Sequence, residues 1–238
     1  MNHRTAPRRT VRRLAALLLA VGMLSSVVAG PSSAEIIAPD GPPFTDVPYS
    51  HTFSTEINWM LYQGISTGYV APDGSRYFSP SAPVLREQAA AFLYRYQWGN
   101  DGDQFPGPSG FTDVADNHRF KQHIQWMAAE GITKGYANGN GTVSFHPSDP
   151  VLREQMAAFL YRFHTGPVLV APSVSPFTDV PVTHTFYKEI YWAYSVGITK
   201  GYDNGNGTLS FRPSQPVLRE QISAFLYRYD DMFNPEID

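Results

Sequence analysis

The chain has 238 residues, no cysteine and a formal net charge of −3. Without cysteine the fold cannot rest on disulfides, and its stability has to come from an apolar core that the 42% hydrophobic and 14% aromatic composition can supply.

The first 34 residues stand apart from the rest. Arg4, Arg8, Arg9, Arg12 and Arg13 make a basic start, Leu14 to Val28 is mostly apolar, small residues follow, and no acidic residue occurs before Glu35. This is the layout of a secretory signal peptide, with cleavage placed after Ala34 and Ala29 the other candidate. The apolar run is shorter than the roughly 20 residues of a spanning helix, so no integral membrane span is expected in the mature chain. From residue 35 onward 13 Lys and Arg stand against 21 Asp and Glu, a net of −8. An exported protein of that charge has no general field for nucleic acid.

Beyond a short flexible segment at 35–43, the chain repeats itself. Phe44-Thr45-Asp46-Val47 returns at an offset of 67 as Phe111-Thr112-Asp113-Val114, and after a further 66 as Phe177-Thr178-Asp179-Val180. Trp59, Trp126 and Trp192 keep these offsets, as do Phe78, Phe145 and Phe211. Each unit is about 53 residues, at 44–96, 111–163 and 177–229, and a fixed period means a repeated structural unit. The joins at 97–110 and 164–176 are rich in Gly and Pro and read as linkers, and 230–238 reads as a flexible tail. The repeats fill nearly all of the mature chain, which suits a stand-alone surface protein, an adaptor or a lattice component.

Each unit reads as helix, long loop, helix. Ser50, Asn117 and Thr183 are placed as N-caps of the first helices. The stripe Phe53, Ile57, Met60, Leu61 and its copies has helical spacing, and Gly64, Gly131 and Gly197 suit helix ends. Gly68-Tyr69, Gly135-Tyr136 and Gly201-Tyr202 open the loops. Second helices follow at Arg86, Arg153 and Arg219, with stripes such as Leu85, Ala89, Phe92, Leu93, Tyr96. One such unit cannot bury both stripes, so the units should share a core. The fold class is mainly α.

The ordered pattern Phe-Thr-Asp-Val, Glu-Ile-x-Trp, Gly-Ile-x-x-Gly-Tyr, Phe-x-Pro and Pro-Val-Leu-Arg-Glu-Gln resembles the S-layer homology (SLH) repeat, and the resemblance covers residues 44–229. It implies a pseudo-threefold trimer of helix-loop-helix repeats around a central three-helix bundle. It also implies a secreted module of Gram-positive cell surfaces that binds wall polysaccharide, often pyruvylated or otherwise anionic, in grooves between repeats. The family's Thr-Arg-Ala-Glu keeps its Arg here as Arg86, Arg153 and Arg219. Its Thr is Leu85, Leu152 and Leu218, so the usual capping hydroxyl is lost or moved to Ser81, Ser148 and Ser214.

The candidate ligand-binding residues are Arg86, Arg153, Arg219, Gly68, Gly135, Gly201, Tyr69, Tyr136, Tyr202, Trp59, Trp126 and Trp192. An Arg at a helix start adds a planar fork to free N–H groups and suits a carboxylate or phosphate; the alternative is a pair with Glu87 or another repeat's carboxylate. Each Trp is either a sugar-stacking wall or packing against a neighbouring repeat. Each Tyr either lines a groove or anchors its loop, and each Gly either lets backbone approach a ligand or supplies a positive φ. His51, His118 and His184 read as solvated or locally bonded rather than as a zinc site, and Asp46, Asp113 and Asp179 as organisers of a turn. No cofactor, metal or catalytic residue is assigned, because nearly every candidate acid is triplicated. A surface-protein scaffold with a protein partner is the alternative function, and a wall glycosidase the third.

Overall fold

The computed structural model describes residues 42–99, 107–165 and 170–235. The expected signal peptide and nearly all of the 35–43 segment lie outside them. Six helices alternate with three two-stranded ribbons: α1 (Ser54–Tyr62), β1 (Tyr69–Val70), β2 (Arg76–Tyr77), α2 (Arg86–Trp98), α3 (Lys121–Ala129), β3 (Tyr136–Ala137), β4 (Val143–Ser144), α4 (Arg153–Phe163), α5 (Tyr187–Ser195), β5 (Tyr202–Asp203), β6 (Leu209–Ser210) and α6 (Arg219–Phe233). The architecture is mainly helical, in three helix-loop-helix repeats. Each loop carries an antiparallel ribbon that the sequence reading passed over, for example with Tyr136 opposite Ser144. Two residues per strand are too few to leave an alternating pattern. Among the described residues no helix is long and apolar enough to cross a membrane.

The last helix runs past the unit placed at 177–229: α6 continues through Phe233. The Tyr96 hydroxyl donates to Asp230 at 2.8 Å, and the Phe233 ring lies 4.3 Å from that of His164. Burial, with the nearby Asp230 charge, raises the Tyr96 pKa, so it remains a neutral donor. The expected caps Ser50, Asn117 and Thr183 also fall away. The first helices begin after Phe53, Phe120 and Phe186, none with a side-chain cap. The N–H of each of these Phe residues instead donates to Nδ1 of the His two residues earlier, at 3.2 Å.

That local bond sets the tautomer of His51, His118 and His184. With Nδ1 accepting, Nε2 carries the proton. Nε2 faces a glutamate of the preceding repeat: Glu220 at 3.5 Å from His51, Glu87 at 3.3 Å from His118, and Glu154 at 3.3 Å from His184. The three His thus sit in three different interfaces, and among the described residues no cluster suited to a metal ion occurs.

The repeats are joined in cyclic order. α2 packs on α3, α4 on α5, and α6 on α1, so the second helix of each repeat pairs with the first helix of the next. The valines of the Pro-Val-Leu segments close a backbone ring: Val84 N–H donates to Val217 O, Val217 to Val151 O, and Val151 to Val84 O, at 2.8–2.9 Å. All three valine side chains are fully buried. At the far ends of the second helices Tyr96, Phe163 and Tyr229 meet edge to face or tilted, with centroids 5.5–5.9 Å apart.

The triplicated aspartates have a firmer task than organising a turn. Both Asp46 oxygens accept backbone N–H groups at 2.7 Å, from Phe78 and Ser79. Asp113 does the same for Phe145 and His146, and Asp179 for Phe211 and Arg212. Ser79, His146 and Arg212 have φ of 57°, 58° and 61°, a left-handed conformation that a non-glycine residue holds only where its surroundings over-determine it. Asp46→Ala removes two charge-assisted acceptors, and an expected loss of about 3 kcal/mol is read by urea unfolding, with Asp46→Asn intermediate.

His123 marks a departure of repeat 2, where the other repeats have Glu56 and Glu189. It packs edge-on to Tyr94 at 4.9 Å, and its Nδ1 is buried without a hydrogen-bond partner. Burial first, then the Arg95 charge, lower its pKa to about 4 from an ordinary 6.5. Between these values the unfolded chain binds a proton that the folded chain refuses. Stability therefore falls as pH drops through this window, by up to about 3 kcal/mol. His123→Gln should flatten thermal stability across that window, apart from the contributions of the carboxylates.

Candidate functional site

The second helices begin without a side-chain cap, because Leu85, Leu152 and Leu218 offer no acceptor. Ser81, Ser148 and Ser214 do not replace it. The Gln three residues on accepts the N–H of each Leu at 3.2 Å, which is the glutamine half of a capping box. The next two N–H groups are taken by the following repeat. Arg86 and Glu87 donate to the carbonyls of Asp149 and Pro147, Arg153 and Glu154 to those of Gln215 and Pro213, and Arg219 and Glu220 to those of Ala82 and Pro80, all at 2.9–3.1 Å. These N–H groups are consumed by the interface, which corrects the expectation that they stay open to an anion.

The arginine side chains complete the same joints. Nε of Arg86 donates to the Phe145 carbonyl at 2.8 Å, Arg153 to Phe211 at 2.8 Å, and Arg219 to Phe78 at 2.6 Å. Each Arg is only 3% exposed. The Arg86 guanidinium lies 4.8 Å from the centroids of Tyr136 and Phe145, and 5.5 Å from Phe159; Arg153 and Arg219 have the matching contacts. Among the described residues no carboxylate lies within ion-pair distance of these three cations, and Glu87, Glu154 and Glu220 face the His residues instead. Burial lowers all three guanidinium pKa values, yet an arginine stays charged at neutral pH.

Tyr69, Tyr136 and Tyr202 sit where two repeats meet. Each hydroxyl accepts from the Gln of its own second helix, at 3.4, 2.9 and 3.2 Å for Gln88, Gln155 and Gln221, while its ring carries the Arg of the preceding repeat. Tyr136 is exposed and the other two are half-buried. The structure thus brings Arg and Tyr together at the three joints between repeats. Gly68, Gly135 and Gly201, beside these tyrosines, have φ of 67°, 63° and 70°. A Cβ on Gly135 would stand 2.6 Å from the Phe111 ring and 2.7 Å from the Ser144 carbonyl oxygen. The absent side chain makes room for this chain's own Phe and ribbon.

The tryptophans lie elsewhere. Trp126 and Trp192 are each 1% exposed. They pack edge-on against Tyr94 of α2 and Tyr161 of α4. Trp59 is half-buried, edge-on to Tyr227 of α6 at 5.5 Å. Trp126 and Trp192 are thus covered by the neighbouring helix, and Trp59 packs in the same way at the third interface while staying partly exposed. Sequence reasoning missed Gln88, Gln155 and Gln221 as partners of the Tyr hydroxyls, although their threefold repetition was visible. Arg153→Ala strands a buried carbonyl and removes the ring contacts; a loss of about 3 kcal/mol in unfolding free energy is expected, larger than for Arg153→Lys.

A sequence model of the S-layer homology domain matches residues 43–90, 110–157 and 176–222. The chain is 30% identical over 150 residues to a cellulosome-anchoring protein of Acetivibrio thermocellus, covering 62% of this chain and 31% of that one. It is 24% identical over 222 residues to an S-layer protein of Bacillus thuringiensis subsp. finitimus, covering 92% and 25%. It is also 35% identical over 100 residues to an endoglucanase of a Bacillus species, covering 42% and 10%. The chain therefore spans less than a third of the length of each of these relatives.

Proposed function

The chain belongs to the S-layer homology domain family, a family represented in cell-surface and anchoring proteins, and from that premise we propose that it is a secreted, non-catalytic module that binds anionic wall polysaccharide in the grooves between its repeats. The observation that carries this reading is the set of three buried guanidinium groups, Arg86, Arg153 and Arg219, which have no carboxylate partner among the described residues. Taking a cation from water costs several kcal/mol, and the charges of Asp113 with Asp149, Asp179 and Asp46, which act on Arg86, Arg153 and Arg219 without ion-pair contact, offset only part of it. An acidic sugar substituent at the groove mouth would offset that cost, while Tyr and Gln beside it supply a ring face and polar groups for a glycan.

We take the three units to form a pseudo-threefold trimer around α2, α4 and α6. The cyclic valine ring, the Tyr96, Phe163 and Tyr229 triangle, and the cyclic helix pairings support this arrangement. The non-catalytic reading is supported by the employment of the triplicated acids: Asp46, Asp113 and Asp179 hold backbone, and Glu87, Glu154 and Glu220 face histidines. The match to an endoglucanase covers a tenth of that protein and carries no catalytic assignment to this chain.

A pull-down of the chain on purified wall sacculi tests the reading. Binding should be retained on intact sacculi and lost once the secondary polymers are removed; binding that survives their removal overturns it. Incubation with the same polymers should release no reducing ends.

A further inference from the structure

The three grooves share their Arg, Tyr, Gln, Phe and Asp, and among the positions where they differ the structure singles out one. The residue after the buried Phe is Ser79, His146 or Arg212, held in the left-handed region in all three repeats. Its N–H is gripped by the aspartate, and in two repeats its side chain lies on the groove tyrosine. The His146 ring is 4.6 Å from Tyr136, and the Arg212 guanidinium is 3.9 Å from the centroid of Tyr202. In repeat 1 the small Ser79 leaves Tyr69 to stack on Tyr77 at 5.3 Å.

The charge around each tyrosine follows from this. Between repeats 1 and 2, His146 Nδ1 is 3.1 Å from Asp149, a carboxylate whose field also reaches Arg86. The places matching Asp149 are Ala82 and Gln215, so the other two grooves lack that acid. Between repeats 3 and 1 the tyrosine meets one cation, Arg219, at 4.8 Å. Between repeats 2 and 3 Tyr202 meets two, Arg153 at 4.8 Å and Arg212 at 3.9 Å, and the Arg212 charge is felt at Arg153. Asp179 is the nearby acid that works against this, and both of its oxygens are committed to backbone N–H groups. Arg212 is exposed while Arg153 is buried, so of the two guanidinium groups beside Tyr202 one faces solvent and the other is held within the joint.

We propose that the groove between repeats 2 and 3 is the high-affinity site of the molecule, that it takes a doubly charged group of the phosphate monoester class, and that Arg212 sets this preference. The inference rests on the reading that the grooves hold an anionic glycan. Two like charges beside one ring repel until an anion bridges them; a monoanion neutralises one, and a dianion with several acceptor oxygens engages both planar forks. A phosphate monoester carries close to two charges above its second pKa of about 6.

The test titrates the full chain with glucose 6-phosphate, glucuronate and glucose at about pH 7.5 and constant ionic strength, reading affinity together with the backbone amide signals of Gly68, Gly135 and Gly201. Glucose 6-phosphate should bind about tenfold tighter than glucuronate, glucose should bind weakest, and the largest shift should fall at Gly201. Arg212→Ser installs the residue that repeat 1 already holds in the same conformation, and it should abolish the tenfold preference. Ser79→Arg should create a second responsive groove at Gly68. An Arg212→Ser chain that keeps the preference, or a largest shift at Gly68 or Gly135, overturns the proposal. The sacculus pull-down separates the two ideas. Wall binding without the phosphate preference sinks only this inference, and the preference without wall binding sinks the wall reading.

Discussion

The structure depends on where the first N–H groups of three helices find their acceptors. A helix start leaves its first N–H groups unpaired, and the residue that would ordinarily cap α2, α4 and α6 is a leucine. The acceptors come instead from the loop carbonyls of the following repeat, Asp149 and Pro147 for α2 and their counterparts for α4 and α6. A single repeat cut from the ring would leave those donors without partners and both apolar helix stripes exposed. The valine ring closes the same circuit in backbone, so every repeat is completed by its neighbour and the third is completed by the first.

The arginines link that closure to the candidate function. Each crosses an interface, donates through Nε to a carbonyl of the next repeat and lies among aromatic faces. These contacts offset part of the cost of burial, but they do not cancel a charge. A carboxylate in the same place would have made a stable joint and a neutral groove. Glu87, Glu154 and Glu220, one residue along in the sequence, face histidines instead, and the cations keep their field. The residues that hold the ring together are therefore the same residues to which the proposed function assigns the anion.

Near-identity among the three copies makes their differences informative. Where repeats 1 and 3 have Glu56 and Glu189, repeat 2 has His123, and the interface between α2 and α3 acquires a group that resists protonation. Where a left-handed residue follows the buried Phe, the copies have Ser79, His146 and Arg212. The shared residues build the frame, and these few substitutions give each interface its own charge.

The sequence by itself determined the number of repeats, their helix-loop-helix order, the helical stripes and the mainly α class, because apolar period and repeated identity are local properties of a chain. It also singled out Arg86, Arg153 and Arg219 through polar identities that a buried stripe would not require. It could not say that their helix N–H groups were already spent, that Trp126 and Trp192 were sealed between helices, that aspartates rather than glycines held Ser79, His146 and Arg212 left-handed, or that α6 ran on to Phe233. Each of those facts depends on a partner 30 to 140 residues away. Spacing along one helix states which face a residue occupies, but only the tertiary structure decides what stands opposite it. For a buried cation or an uncapped helix, the group opposite determines both stability and chemistry.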